Sequence, residues 1–311
     1  MRLLRLISPF IVLFVVCQTL YSQQNPGSLL DSYMKTVREE ATSPKAPETL
    51  YKTGQPAEMP DHLSTYYNDT MPEIRGKAFY LTYKLGSENS QVAGRCIENL
   101  TIGLKDKNTG IVDLVMNYLK MFRASDFPLS AKDTINALVE RTTPHYKNLV
   151  KLAGFLQLKK SREILKRKLQ TKDYASPGER WAILLSLSRM GEQKAIDFCL
   201  KIAKRAGVND DFVYDIAPGF VYTRQKELTD YLVSLLYSEQ KDCSSPNPES
   251  SGQIHCGYRL MELLAPVVRD FPLKTDVAGE IVTDDYEKAL NKTRSWFKKY
   301  EDDYQLLGDT F

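Results

Sequence analysis

Tryptophan and histidine are the scarcest residues in this chain, with 2 Trp and 3 His in 311 residues. His62, His145 and His255 stand far apart. A catalytic triad or a histidine-based metal site would therefore need long-range convergence. The chain has no phosphate-cradling glycine loop, no dinucleotide fingerprint, no zinc-protease histidine pair and no Gly-x-Ser-x-Gly elbow. No catalytic residue, metal or cofactor is assigned on these grounds. Charge of one sign is also lacking. Lys and Arg number 42 against 39 Asp and Glu, a net +3, which argues against nucleic acid as the partner. With 16 Gly and 15 Pro, collagen-like and low-complexity architectures are excluded. The 42% hydrophobic and 26% charged content is ordinary for a globular chain.

No apolar run reaches the roughly 20 residues of a membrane-spanning helix. The nearest is at the start. Arg2 and Arg5 precede an apolar stretch through Cys17, and the polar tract Ser22-Gln-Gln-Asn25 follows. This pattern predicts a secretory signal peptide over 1–22, cut near Ser22–Gln23, and an exported chain, periplasmic or secreted. Leu20 is bulky for its place before such a cut. Removal of 1–22 leaves forty basic and thirty-nine acidic residues, a net +1. The alternative is a lipoprotein acylated on Cys17, although Val16 stands where a small residue is wanted. Membrane association is then peripheral or through that lipid.

Of the four remaining cysteines, Cys96 and Cys199 sit in helical apolar patterns and read as small buried hydrophobes. Cys243 and Cys256 flank a polar Ser/Pro/Asn-rich loop. In an oxidising compartment they are the natural disulfide pair, with a crosslink gain of roughly 3 kcal/mol in the chain-entropy picture. The insertion spans 240–256.

From Pro72 onward the pattern is helical almost throughout, and strand signals are nearly absent. Pro72 opens a first helix and Gly86 is expected to stop it. A third carries Ile111, Val115, Tyr118, Leu119 and Phe122 on one face. Ser130, Ser161 and Thr223 are expected caps of later helices. Ser176-Pro-Gly-Glu179 supplies the clearest start, a cap followed by proline and a capping-box glutamate. Gly191 and Gly207 are expected stops, and Pro218 an expected kink. Alternate helix starts fall near 72, 110, 144, 177, 209 and 254, at intervals of 38, 34, 33, 32 and 45 residues. The longest interval holds the cysteine-flanked loop. Helical pairs of this period cannot bury their apolar stripe alone and must stack on their neighbours. Residues 23–71 differ. Leu30, Tyr33, Met34 and Val37 make one amphipathic helix, and Pro44, Pro47, Pro56 and Pro60 then break the pattern. This segment is expected to be a capping helix and extended strap, with the repeats over 72–311.

The helix ends Leu85-Gly86 and Met190-Gly191 each precede a second helix, and the chain closes on Arg294-Ser-Trp-Phe-Lys-Lys-Tyr-Glu-Asp-Asp-Tyr304. In these features residues 72–305 resemble the HEAT-repeat family, specifically exported bacterial proteins with degenerate HEAT-like repeats. The resemblance implies an all-α fold, an α-solenoid of about six antiparallel helical pairs. It also implies a concave face lined by the second helix of each pair. Tetratricopeptide repeats have a similar length, but their Trp, Gly, Tyr and Pro landmarks do not recur in register.

The most uneven charge lies on such second helices. Lys159, Lys160, Arg162, Lys166, Arg167, Lys168 and Lys172 face only Glu163, the next second helix adds Lys201, Lys204 and Arg205, and the one after adds Arg224 and Lys226. Lys159, Lys160, Arg162, Lys166, Arg167, Lys168, Lys201, Lys204 and Arg205 are the candidate binding residues, set against the simpler possibility of a solvated face. The aromatics Phe212, Tyr214, Phe220, Tyr222, Tyr231 and Tyr237 fall at helical spacing and suit core packing. The expected function is an exported, non-catalytic scaffold that binds a protein partner, one with acidic character where the basic residues are engaged. The alternative is an enzyme or enzyme subunit acting on envelope glycans or a bound pigment. The sequence leaves the oligomeric state open.

Overall fold

The computed structural model describes residues 26–40, 44–141, 143–245, 252–276, 279–301 and 303–311. The expected signal peptide, Cys17 and most of the loop between Cys243 and Cys256 lie outside them. The described residues are mostly helical, with one two-residue hairpin. None of their helices is long and apolar enough to cross a membrane. The chain divides into two compact units, one ending at Leu119 and the other running from Lys120 to Phe311.

The first unit holds α1 (Pro26–Glu39), α2 (Met59–Ser64), α3 (Pro72–Glu88), α4 (Ala93–Gly103) and α5 (Thr109–Leu119). α3 packs on α1, α2, α4 and α5. Pro72 starts it as expected. Gly86 does not stop it. Gly86 is buried inside the helix, which runs on to Glu88. Asn89 makes the end instead, its amide donating to Leu85 O at 2.9 Å and Tyr51 O at 2.8 Å. Gly103 lets α4 approach closely, because a Cβ there would lie 2.6 Å from Val115 and 2.9 Å from Phe79.

A buried ion pair closes this unit. Arg75 Nε and Nη2 donate to the Asp106 carboxylate at 2.7 and 2.8 Å, and both side chains are almost fully buried. Burial disfavours the Asp106 charge. The Arg75 hydrogen bonds, the Asn108 N–H and the Arg75 charge more than offset that and hold the carboxyl below its ordinary value. Its stabilisation is then complete above the unfolded carboxylate value and is lost as pH falls through the lower folded one.

The second unit holds α6 (Leu129–Val139), α7 (Tyr146–Phe155), α8 (Lys159–Thr171), α9 (Pro177–Arg189) and α10 (Gln193–Ala206). These are followed by α11 (Ala217–Thr223), α12 (Lys226–Leu235), α13 (Cys256–Leu264) and α14 (Tyr286–Lys299). The Ser176 cap is real: its hydroxyl accepts from Glu179 N at 3.2 Å, and Glu179 accepts from Ala175 N at 2.7 Å. Ser130, Ser161 and Thr223 are not caps. Pro128, Leu158 and Gln225 take the extended cap conformation at those starts. Ser161 instead lies inside α8 and binds Asn136 Oδ1 at 2.6 Å. A π-helical turn over Phe212–Ile216 precedes α11, whose first turn contains Pro218.

Left-handed turns recur at a regular spacing. Left-handed residues end α7, α9 and α11 at Gln157, Gly191 and Arg224, thirty-four and thirty-three residues apart. Lys172 and Gly207 do the same after α8 and α10, thirty-five apart. α9 packs on α7, α8, α10 and α11. Gly154 of α7 makes the first contact close, since a Cβ there would lie 2.9 Å from Ser186 Cβ. The hairpin pairs β1 (Cys243–Ser244) with β2 (Gln253–Ile254) and brings the Cys243 and Cys256 sulfurs to disulfide distance, 2.01 Å. Cys96 and Cys199 are buried and free.

Two outcomes follow for solution work. Asp106→Asn leaves the Arg75 charge buried without its partner and lowers urea stability by about 3 kcal/mol. It also flattens the loss of stability below about pH 4. A digest without reductant yields the Cys243 and Cys256 peptides joined, and both peptides carrying free thiols would contradict the pairing.

Candidate functional site

The sequence places its basic residues on α8 and α10, the second helices of adjacent pairs, and the structure sorts them into three groups. Lys159, Lys160, Lys201, Lys204 and Arg205 are exposed. None of these five has an ion pair among the described residues. Arg162 and Lys166 are half-buried and share Glu192, at 3.7 and 3.5 Å, and Lys166 also lies 3.8 Å from Glu163. Arg162 further donates to Met190 O, and Arg167 pairs with Glu140. These three charges are largely matched within the unit.

Lys168 departs from the expected surface patch. Its residue is only 2% exposed. The ammonium donates to Asp173 at 2.7 Å and lies 5.6 Å from the Tyr146 ring centroid. The cause is helical phase: Ser161, Ile164, Leu165 and Lys168 form the buried stripe of α8. Lys168 is a packing residue with a matched charge, as its spacing from Ile164 signals.

Sequence reasoning missed what lies between the basic residues. α8 and α10 border a trough of about 540 Å³. Its apolar lining comes from Leu169, Leu184, Leu187, Ala195 and Phe198, with Lys166, Glu192 and Lys194 at the polar edge. α9 supplies Leu184 and Leu187 from beneath, because it is buried on every side over its last two turns. Arg180 covers the Phe198 ring at 4.7 Å, so one wall is a cation–aromatic stack. The legible signal was Phe198 at i+3 from Ala195, on the amphipathic face of α10.

Of the aromatic group, Phe212, Phe220 and Tyr222 are buried, while Tyr214 and Tyr237 remain 57% and 45% exposed. Tyr231 packs its ring on both Phe212 and Phe220. His145 starts α7 in a left-handed conformation, and His255 lies against Tyr258. Among the described residues no group of three His, Cys, Asp or Glu side chains is placed to hold a metal ion. No protein-family model matches the chain, and no curated protein matches it significantly.

The sorting of the lysines is open to measurement. Lys168→Ala lowers stability by about 1–2 kcal/mol through lost packing and the lost contact with Tyr146, whereas Lys160→Ala changes it by less than about 0.5 kcal/mol. Equal losses in urea titrations would contradict the assignment.

Proposed function

We propose that this chain is an exported HEAT-like repeat protein, an α-solenoid, that binds a protein partner without bond chemistry. In this proposal the partner inserts an acidic amphipathic segment, most simply a helix, into the trough between α8 and α10. The observation that carries the reading is the pairing of an apolar floor with unmatched lysines on the same two helices. An amphipathic helix laid in a groove buries its apolar face and leaves its charged edge to meet the rim. Lys194 stands at the trough's edge, and Lys159 and Lys160 on α8 and Lys201, Lys204 and Arg205 on α10 supply further positive charge on the same two helices.

The recurrence of left-handed turns every thirty-three to thirty-five residues supports a stacked repeat. The disulfide-distance cysteine pair suits an oxidising compartment. Electrostatics of exposed lysines steers encounter and is weakened by salt, whereas the apolar floor sets residence time.

Affinity capture from the native envelope fraction tests this. The expected result is a specific protein retained by the wild type. Phe198→Glu combined with Lys194→Glu loses it, and Lys226→Glu, outside the trough, keeps it. Capture that ignores the trough variant contradicts the proposal. So does turnover of an envelope glycan by the purified protein with no partner retained.

A further inference from the structure

A second surface of the same unit lies apart from the trough side chains and does not depend on that reading. At the ends of α9 and α11, Arg189 and Arg224 converge on the segment 307–311, which bends at Asp309. Arg189 donates to Thr310 O at 2.6 Å and Gly308 O at 3.2 Å. Arg224 donates to Leu307 O at 2.8 Å, Phe311 O at 3.0 Å and Thr310 Oγ1 at 3.4 Å. Each also donates to a carbonyl of α11, Arg189 to Tyr222 O and Arg224 to Val221 O. The Phe311 ring fills a slot between Phe155 and Tyr222, at centroid distances of 5.7 and 5.3 Å.

The charge is out of balance. Arg189 is 3% exposed. Neither guanidinium has a carboxylate side chain within ion-pair distance among the described residues. Burial lowers both pKa values, and Arg189 lowers that of Arg224 further, to about 10. Half-buried Lys151 adds a third cation over the Tyr222 ring at 5.5 Å, its pKa lowered by burial and by Lys120 and Lys147. Backbone carbonyls alone answer Arg189, and backbone oxygens and one hydroxyl answer Arg224, although a bidentate side-chain carboxylate is the stronger partner for a guanidinium.

The segment on top is lightly held. Gly308, Asp309 and Thr310 are exposed, and Asp309 bonds Ser125 rather than either arginine. Beyond Leu307, whose N–H donates to Val267 O at 2.9 Å, its attachment is the arginine hydrogen bonds to backbone oxygens, the Ser125–Asp309 contact and one half-buried ring, a small apolar area for a permanent contact. The cradle meanwhile has the parts of a peptide site: donors for an extended backbone, a slot for an aromatic side chain, and unmatched positive charge where a carboxylate would sit.

We propose that the Arg189–Arg224 cradle is a docking site for an extended acidic peptide segment bearing an aromatic residue, and that residues 308–311 occupy it in cis as a weaker ligand. Arg189 holds the Thr310 carbonyl and Arg224 reaches the Thr310 hydroxyl, so an acidic side chain at that place of the bound peptide meets the Arg224 guanidinium.

Fluorescence anisotropy with the full chain tests this, using two peptides of residues 305–311 labelled at the amino end. One has the native sequence and one carries T310D. Phe311→Ala in the protein frees the slot and is expected to bind the native peptide about tenfold more tightly than the wild type. The T310D peptide is expected to bind about tenfold more tightly again, and adding Arg224→Gln removes both gains. Asp309→Lys, an exposed change that loosens the cis segment, serves should Phe311→Ala fail to fold. Absence of saturable binding to either folded variant overturns the proposal, as does binding indifferent to Arg224→Gln or to the T310D carboxylate. A loss of thermal stability in Phe311→Ala without peptide binding marks the segment as a structural strap and also overturns it.

Discussion

The second unit depends on one helix whose last two turns touch almost no water. From Ala182 to Arg189 every residue of α9 is buried, and α7, α8, α10 and α11 close around it. A helix apolar on one side only cannot do this; over these turns α9 is covered all round. Its two serines survive burial because Ser186 and Ser188 donate back to Ala182 O and Leu184 O, at 2.7 and 2.9 Å. Close approach needs small residues at the crossings. Gly154 meets Ser186, and Gly219 meets Leu185, with no room for a Cβ at either.

Both surfaces with functional character are consequences of that packing. The trough between α8 and α10 has a floor because α9 presents Leu184 and Leu187 through the gap. The cradle exists because α9 and α11 end about thirty-three residues apart in sequence but side by side in the unit, each with an arginine at or just beyond its last turn. An arginine at a helix end can give part of its hydrogen bonding to free carbonyls, which lowers the cost of burying it. Arg189 does this with Tyr222 O and still has donors left for the segment 307–311. The first unit uses a different device, a matched Arg75–Asp106 pair that leaves no donor seeking an anion.

Much of the architecture was legible in the sequence, because apolar periodicity and a few punctuating residues carry it. Ser176-Pro-Gly-Glu179 and Gly191 were read correctly, since a cap with its glutamate and a glycine after the last turn act locally. Ser130, Ser161 and Thr223 misled because a hydroxyl near an apolar run caps a helix only when its own backbone is extended. Pro128, Leu158 and Gln225 hold that position instead. The left-handed turns stayed hidden wherever Gln157, Lys172 or Arg224 fills the place usually given to glycine. Among the candidate residues, the charge of α8 was visible but its partners were not. Glu140 and Glu192 lie about one helix away in sequence. The trough and the cradle are made by residues brought together only when helical pairs stack, so composition and spacing along one helix cannot display them.

Native-state hydrogen exchange of the backbone amides tests the central column most directly. The amides of residues 182–189 are expected to be the slowest of the second unit, exchanging only through its global unfolding and following the urea dependence of the whole unit. Exchange of those amides through local openings, as fast as the outer turns of α8 and α10, would contradict the placement of α9 at the centre and remove the support from both surfaces.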